Sequence, residues 1–275
     1  MVIDSHQHFW KYEAIKHDWI DDSMSVIRKD FMPSDLKKVY EENGIDGCVA
    51  VQADQTLAET NFLLDLASSN HFIKGVVGWA DLRAASIHDV LSEYATHKKL
   101  KGFRHVVQGE PDPNFLLRDA FLNGISALDK HNFTYDILVF PHQLGAVLEF
   151  VKKFPNQNFV IDHIAKPYIK HGFFDGWATL MLAIGKLPNV HCKLSGMITE
   201  ADFNTWTPEQ ITPYMELVLE AFGAEKIMFG SDWPVCLVAG NYNKVKELTS
   251  HFISHLSHDE QAAIMGKNAI TFYNL

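Results

Sequence analysis

Short apolar, β-branched runs recur along the chain at residues 2 to 8, 46 to 52, 73 to 79, 100 to 107, 134 to 139, 158 to 164, 190 to 194 and 226 to 231. Each has the length of a buried strand. Between them the apolar period changes: Leu63, Leu64 and Ala67, then Val90, Leu91 and Tyr94, then Leu144, Val147, Leu148 and Val151 each share one helical face. Strands alternating with helices require parallel pairing through crossover connections. Eight such units are the number that closes a barrel, so the pattern predicts an α/β fold, one (β/α)8 TIM-barrel domain over residues 1 to 275.

Boundary residues support these elements. Pro33-Ser-Asp-Leu opens the first long helix, and Thr207-Pro-Glu-Gln offers an N-cap, a proline at the first helical position and an acidic first turn. Gly44, Gly185 and Gly223 fall near helix ends, where glycine can adopt a left-handed cap. Residues 259 to 273 read as a last helix packed on the barrel. Residues 9 to 32 break the pattern, with Phe9, Trp10, Tyr12, His17, Trp19 and Phe31 in no clean period. They predict a long first loop at the barrel mouth, serving as a lid or substrate wall.

Composition narrows the partners. Hydrophobic residues are 47% of the chain and charged residues 21%, the balance of a protein that buries a full core. A formal charge of −10 argues against nucleic acid and anionic membrane, both of which require clustered Lys and Arg, so the expected partner is a small molecule. No run has the length of a membrane span, and no segment resembles a secretory signal. Cys48, Cys192 and Cys236 lack metal-finger spacing and suit buried, reduced thiols in a cytoplasm. Oligomeric state leaves no mark in the sequence, so a homo-oligomer stays open.

In a β/α barrel, reactive groups sit where strands end and the following loops open. The first strand carries Asp4, His6 and His8 at alternate positions, so two imidazoles can point from one strand face toward a metal ion or a carbonyl oxygen. The fourth ends in Lys101-Gly-Phe-Arg-His, the sixth in Asp162-His-Ile-Ala-Lys-Pro and the eighth in Gly230-Ser-Asp-Trp-Pro. A lone histidine is ordinarily a packing residue, and His105, His142 and His191 taken singly are read so. His6, His8, His163 and Asp232 at equivalent strand ends point instead to a catalytic set. Arg104, whose planar fork binds oxygens bidentately, is the expected substrate grip. Gln52, Trp79 and His105, at the ends of strands two, three and four, are candidates to line the pocket, with a core position as the equal alternative for Trp79.

These segments resemble the amidohydrolase superfamily, in the amidohydrolase 2 branch that contains sugar lactonases and 2-pyrone-4,6-dicarboxylate lactonase. The likeness rests on Asp4-Ser-His-Gln-His-Phe-Trp, Val51-Gln-Ala, Gly78-Trp-Ala-Asp-Leu, Gly102-Phe-Arg-His, Asp162-His-Ile-Ala-Lys-Pro, Lys193-Leu-Ser-Gly and Gly230-Ser-Asp-Trp-Pro-Val. Its aromatic start and Gly-Phe-Arg-His segment are most similar to hydrolases of L-fucono- and L-rhamnono-lactones. The resemblance implies opening of a 6-deoxy aldonolactone to its aldonic acid, with Asp232 taking the water proton and His6, His8 and His163 facing the carbonyl. It also keeps a second reading open, a metal-dependent non-oxidative decarboxylase with a similar His, His, His, Asp set. A third reading is a barrel that binds a sugar without turning it over.

One departure bears on metals. Binuclear members of the superfamily carry a bridging lysine or glutamate at the end of strand four, where this chain has Arg104 and His105. A guanidinium cannot bridge two cations. Strand five, Thr134-Tyr-Asp-Ile-Leu-Val, offers Asp136 but no histidine. No two-metal centre and no organic cofactor are expected. One optional divalent ion such as Zn²⁺ on His6 and His8, or none, remains open.

Overall fold

Each apolar run forms a strand in the computed structural model, which describes residues 1–275. They are β1 (Ile3–Gln7), β2 (Gly47–Val51), β3 (Ile73–Gly78), β4 (Leu100–His105), β5 (Thr134–Ile137), β6 (Phe159–Ile161), β7 (Val190–Leu194) and β8 (Ile227–Phe229). Neighbours are parallel and follow chain order from β1 to β8. The sheet's two edges then meet. The Asp232 N–H donates to the His6 carbonyl at 2.8 Å, and the His8 N–H donates to that of Trp233 at 2.7 Å. The expected (β/α)8 barrel is present, and its seam is stitched beside three candidate catalytic residues.

A helix follows each strand: α1 (Pro33–Asn43), α2 (Leu57–Ser69), α3 (Ile87–Tyr94), α4 (Asp119–Asp129), α5 (Leu144–Lys152), α6 (Asp175–Gly185), α7 (Pro208–Phe222) and α8 (Tyr242–Phe252). Pro33 and Pro208 stand at the first helical positions as expected. At α7 the Gln210 side chain reaches back to accept the Thr207 N–H at 3.1 Å. Gly44 and Gly223 take positive φ, 64° and 70°. Gly185 does not, and its reason is proximity: a Cβ there would lie 2.3 Å from the Ala221 carbonyl oxygen, where α6 crosses α7.

The single last helix expected over residues 259 to 273 is divided. It forms α9 (His258–Ala262) and α10 (Asn268–Tyr273) around a π-type turn, Ala263–Lys267. Gly266 sits in that turn against the start of the chain, where a Cβ would come within 2.3 Å of the Met1 carbonyl oxygen. Beyond it, Ala269, Phe272 and Tyr273 pack with Val49, Val51, Val77, Val160 and Met228. Lys101, near the start of β4, donates to the Asn274 carbonyl at 2.6 Å. Thus α10 closes the amino-terminal end of the barrel, opposite the loops that carry the site.

The first loop is folded. Trp10 and Phe31 exchange both backbone hydrogen bonds, at 3.0 and 2.9 Å, and Phe9, Trp10, Ile20, Ile27 and Phe31 are buried. The Phe31 ring meets that of Trp233 edge-on at 5.1 Å, which ties this wall to the residue after Asp232. The three cysteines are free and buried. No helix is long and apolar enough to cross a membrane.

Candidate active site

Four groups meet at the carboxyl ends of the strands. Asp232 Oδ1 lies 3.3 Å from His8 Nε2, 3.8 Å from His163 Nε2 and 3.9 Å from His6 Nε2. All four side chains are buried. They border a cavity of ≈ 420 Å³, in the range that holds a small ligand. His8, His163 and Asp232 line it directly, and His6 lies behind them.

Local backbone geometry aims two of them. The predicted sixth strand ends at Ile161, and His163, Ile164, Ala165 and Lys166 all take the left-handed conformation, with φ between 48° and 59°. Asp232 does the same at φ 56°. Such a conformation costs about 1–2 kcal/mol per non-glycine residue, so its neighbours must hold it. Trp177 Nε1 donates to the Ile164 carbonyl at 2.8 Å, Lys166 Nζ pairs with Glu200 at 2.8 Å, and His163 Nδ1 is hydrogen-bonded to Ser195 Oγ at 2.9 Å.

Burial pushes the His163 and His6 pKa values well below the usual imidazole range, against the opposing pull of Asp232 and Asp162 respectively. Burial alone would raise Asp232. The attraction of His163 and of His8 and the field of Lys166 outweigh it, and the carboxyl lies below its ordinary value. Near neutral pH the site therefore holds an ionised carboxylate beside the neutral imidazoles of His6 and His163. That is the protonation state a general base requires.

Behind His6 runs a buried chain of charges. Asp162 Oδ1 lies 3.2 Å from His6 Nδ1 and 2.9 Å from Lys193 Nζ, and its other oxygen accepts from Arg104 Nη1 at 3.1 Å. Lys193 also pairs with Asp136, which accepts from the Tyr273 hydroxyl at 2.8 Å. Two carboxylates and two cations balance, as a water-free interior demands. Asp162 is held well below the carboxylate range because Lys193, His6 and Arg104 together outweigh its burial. Asp136 is raised to about 6, chiefly by burial and against the pull of Lys193.

The expected substrate groups separate into two sets. Gln52 and Arg104 reach the cavity wall, but the guanidinium spends its fork inward on Asp162 and on Gln52, whose Oε1 accepts at 3.0 Å. Trp79 and His105 do not line the cavity. Trp79 Nε1 donates to His105 Nδ1 at 3.4 Å, and His105 Nε2 pairs with Glu110 at 2.6 Å while its ring stacks on Phe115. These two form a polar packing cluster with Glu110 and Phe115. Sequence reading missed the walls supplied by loops, among them Lys16, Asp54, Gln55, Lys166 and Glu200. It also quoted Lys193 only as part of a motif, although a lysine between Cys192 and Leu194 in a buried strand was the available signal.

The donor atoms fit one divalent cation. His8 Nδ1 faces the Val51 carbonyl at 2.8 Å, so it carries the proton and leaves Nε2 a lone pair. His6 Nε2 faces Arg104 Nη1 at 3.3 Å, and a guanidinium only donates, so that nitrogen is also bare. The two Nε2 atoms are 3.1 Å apart, with Asp232 Oδ1 completing the triangle. Tetrahedral ligands at metal–nitrogen distances near 2.05 Å stand about 3.3 Å from one another. In the other cluster of donors, His6, Asp162 and His163, the Asp162 carboxylate is already paired with Lys193 and Arg104.

Eight parallel strands with a carboxylate and three imidazoles at their open ends define a (β/α)8 barrel with an acid–base centre in its mouth. The chain belongs to the amidohydrolase family, whose model matches residues 3–275. A protein of Burkholderia multivorans named L-fucono-1,5-lactonase is 38% identical over 99% of this chain and 96% of its own. Another of that name, from Burkholderia ambifaria, is 34% identical over 99% of this chain and 95% of its own. The crystal structure of a Burkholderia multivorans amidohydrolase with bound zinc has a TM-score of 0.96 at 38% identity, covering 100% of this chain and 99% of that one.

Proposed function

We propose that the protein hydrolyses a sugar aldonolactone to its aldonic acid, the substrate being a 6-deoxy lactone such as L-fuconolactone or L-rhamnonolactone. The observation that carries this reading is the ionised Asp232 carboxylate on the cavity wall, ringed by three imidazoles at 3.3 to 3.9 Å. The names of the two Burkholderia relatives support it. Asp54, Gln55 and Glu200 offer acceptors for ring hydroxyls, while Trp19, Leu138 and Phe203 supply apolar faces suited to a sugar's C–H side and methyl group.

Asp232 takes a proton from water as the water oxygen bonds to the lactone carbonyl carbon. Negative charge then gathers on the carbonyl oxygen, and His163 stabilises it from a position fixed by Ser195. The bond from the carbonyl carbon to the ring oxygen breaks, and Asp232 returns its proton to the departing alkoxide. The acid product ionises, releasing one proton per ring opened. His6, His8 and Asp232 would hold a single Zn²⁺, which when bound supplies Lewis-acid polarisation of the carbonyl. Free buried thiols support a cytoplasmic location.

A pH-indicator screen of aldonolactones, run with and without chelator, tests reaction, substrate class and metal need together. Acid release from 6-deoxy aldonolactones is expected. A complete absence of release across the panel, with zinc supplied, would refute the reading.

A further inference from the structure

Lys193 lies one shell away from the reaction, and no mechanistic step uses it. It is an unusual residue: a lysine with no solvent exposure inside the barrel, pointing from β7 into the space between Asp136 on β5 and Asp162 after β6. Its Nζ also stands 3.2 Å from His6 Nδ1. The distances assign the protons. Arg104 Nη1 can only donate toward His6 Nε2, so Nε2 accepts; Lys193 Nζ directs its protons at the nearer carboxylate oxygens of Asp136 and Asp162, at 2.5 and 2.9 Å, and the imidazole proton sits on Nδ1, directed at Asp162 Oδ1. Asp162 therefore sets which His6 nitrogen is bare, and that bare nitrogen faces His8 and Asp232.

We propose that Lys193 is a positioning residue that locks Asp162 against His6 and thereby presents the His6 Nε2 lone pair to the site. Arg104 grips one oxygen of Asp162 from the cavity side, and Lys193 grips the oxygen that faces His6. Asp136, itself fixed by Tyr273 of α10, anchors the ammonium from below. Partners of this kind behind a metal-binding imidazole are worth about 10–100-fold in metal affinity.

The test must separate positioning from simple burial of charge. Lys193→Met alone leaves Asp136 unpaired in an apolar interior and destabilises the protein whatever the lysine's role. Lys193→Met combined with Asp136→Leu removes the pair together and leaves Asp162 balanced by Arg104. The expected result is a double variant with near wild-type thermal midpoint, at least about 10-fold weaker zinc affinity by chelator competition, and mixed His6 tautomers in ¹⁵N–¹H side-chain spectra. Wild type should show the single Nδ1–H form. A folded double variant that keeps that single tautomer and wild-type zinc affinity overturns the proposal.

Should the double variant fail to fold, Asp136→Asn carries the decision, since it loosens the ammonium and retains the volume. A measurable loss of zinc affinity is expected, and unchanged affinity with an unchanged tautomer overturns the role. Histidine spectra need neither substrate nor turnover, so this outcome is independent of whether lactone hydrolysis is the correct reaction.

Discussion

Asp232 Oδ1 makes its shortest imidazole contact with His8 Nε2, at 3.3 Å, although the two residues come from opposite edges of the sheet. The backbone holds them in register, because the Asp232 N–H donates to the carbonyl of His6, two residues before His8. The carboxylate cannot drift from the imidazoles without breaking the seam.

Replacing that carboxylate with its neutral isostere isolates its chemistry. Asp232→Asn keeps the shape and loses the base, so kcat on an aldonolactone should fall about 10²–10⁴-fold while KM changes little. Initial rates with a pH indicator measure both. Full activity in the variant would remove Asp232 from the base role.

Stability should respond to acid through the histidines. His6 and His163 stay neutral in the folded state because burial depresses their pKa values, whereas in the unfolded chain they titrate near 6.5. Below that pH the unfolded chain binds more protons, so stability present above about 6.5 is lost as pH falls. Asp136, raised to about 6, pulls the other way by binding a proton in the folded state. The net expectation for metal-free protein is a loss of about 2 kcal/mol between pH 7.5 and 5.5, read from urea unfolding at the two values.

Zinc should stabilise the protein through the three donors at the seam. One equivalent is expected to raise the thermal midpoint, since a ligand that binds only the folded state shifts unfolding by mass action. His8→Ala removes a ligand whose tautomer the Val51 carbonyl had prepared. That variant should lose most of the shift in differential scanning calorimetry, and an undiminished shift would place the ion elsewhere.

Gly196 should be intolerant of any side chain. It has φ 60°, and a Cβ would fall 2.5 Å from His163 Nδ1, the atom that bonds Ser195. Gly196→Ala is expected to cost about 1–3 kcal/mol of stability and to lower kcat by displacing the imidazole. Denaturant titration and steady-state kinetics read the two effects separately.

The barrel was legible because strand and helix periods differ, and the eight apolar runs need no tertiary information. His6, His8, His163 and Asp232 were legible for the same reason, since each lies at or just past a strand end that the pattern marks. Other features depend on contacts that no local pattern carries. Gly185 and the divided tail answer to Ala221 and Met1, each distant in sequence. Trp79 and His105 occupy strand-end positions that the rule favours, yet Trp79 turns to His105, and His105 to Glu110 and Phe115. The left-handed turn from His163 to Lys166 is imposed by Trp177, Glu200 and Ser195, so propensity alone gives no hint of it.

The seam described above gives chemical competence and barrel closure the same latch. His6 lies in the first strand with His8 just past its end, and Asp232 follows the last. Transient parting of β1 from β8 would therefore disperse the reacting groups while the helices stay formed. Local opening at this one junction should silence the enzyme well before global unfolding, and amide exchange at His8 and Asp232 would time that event.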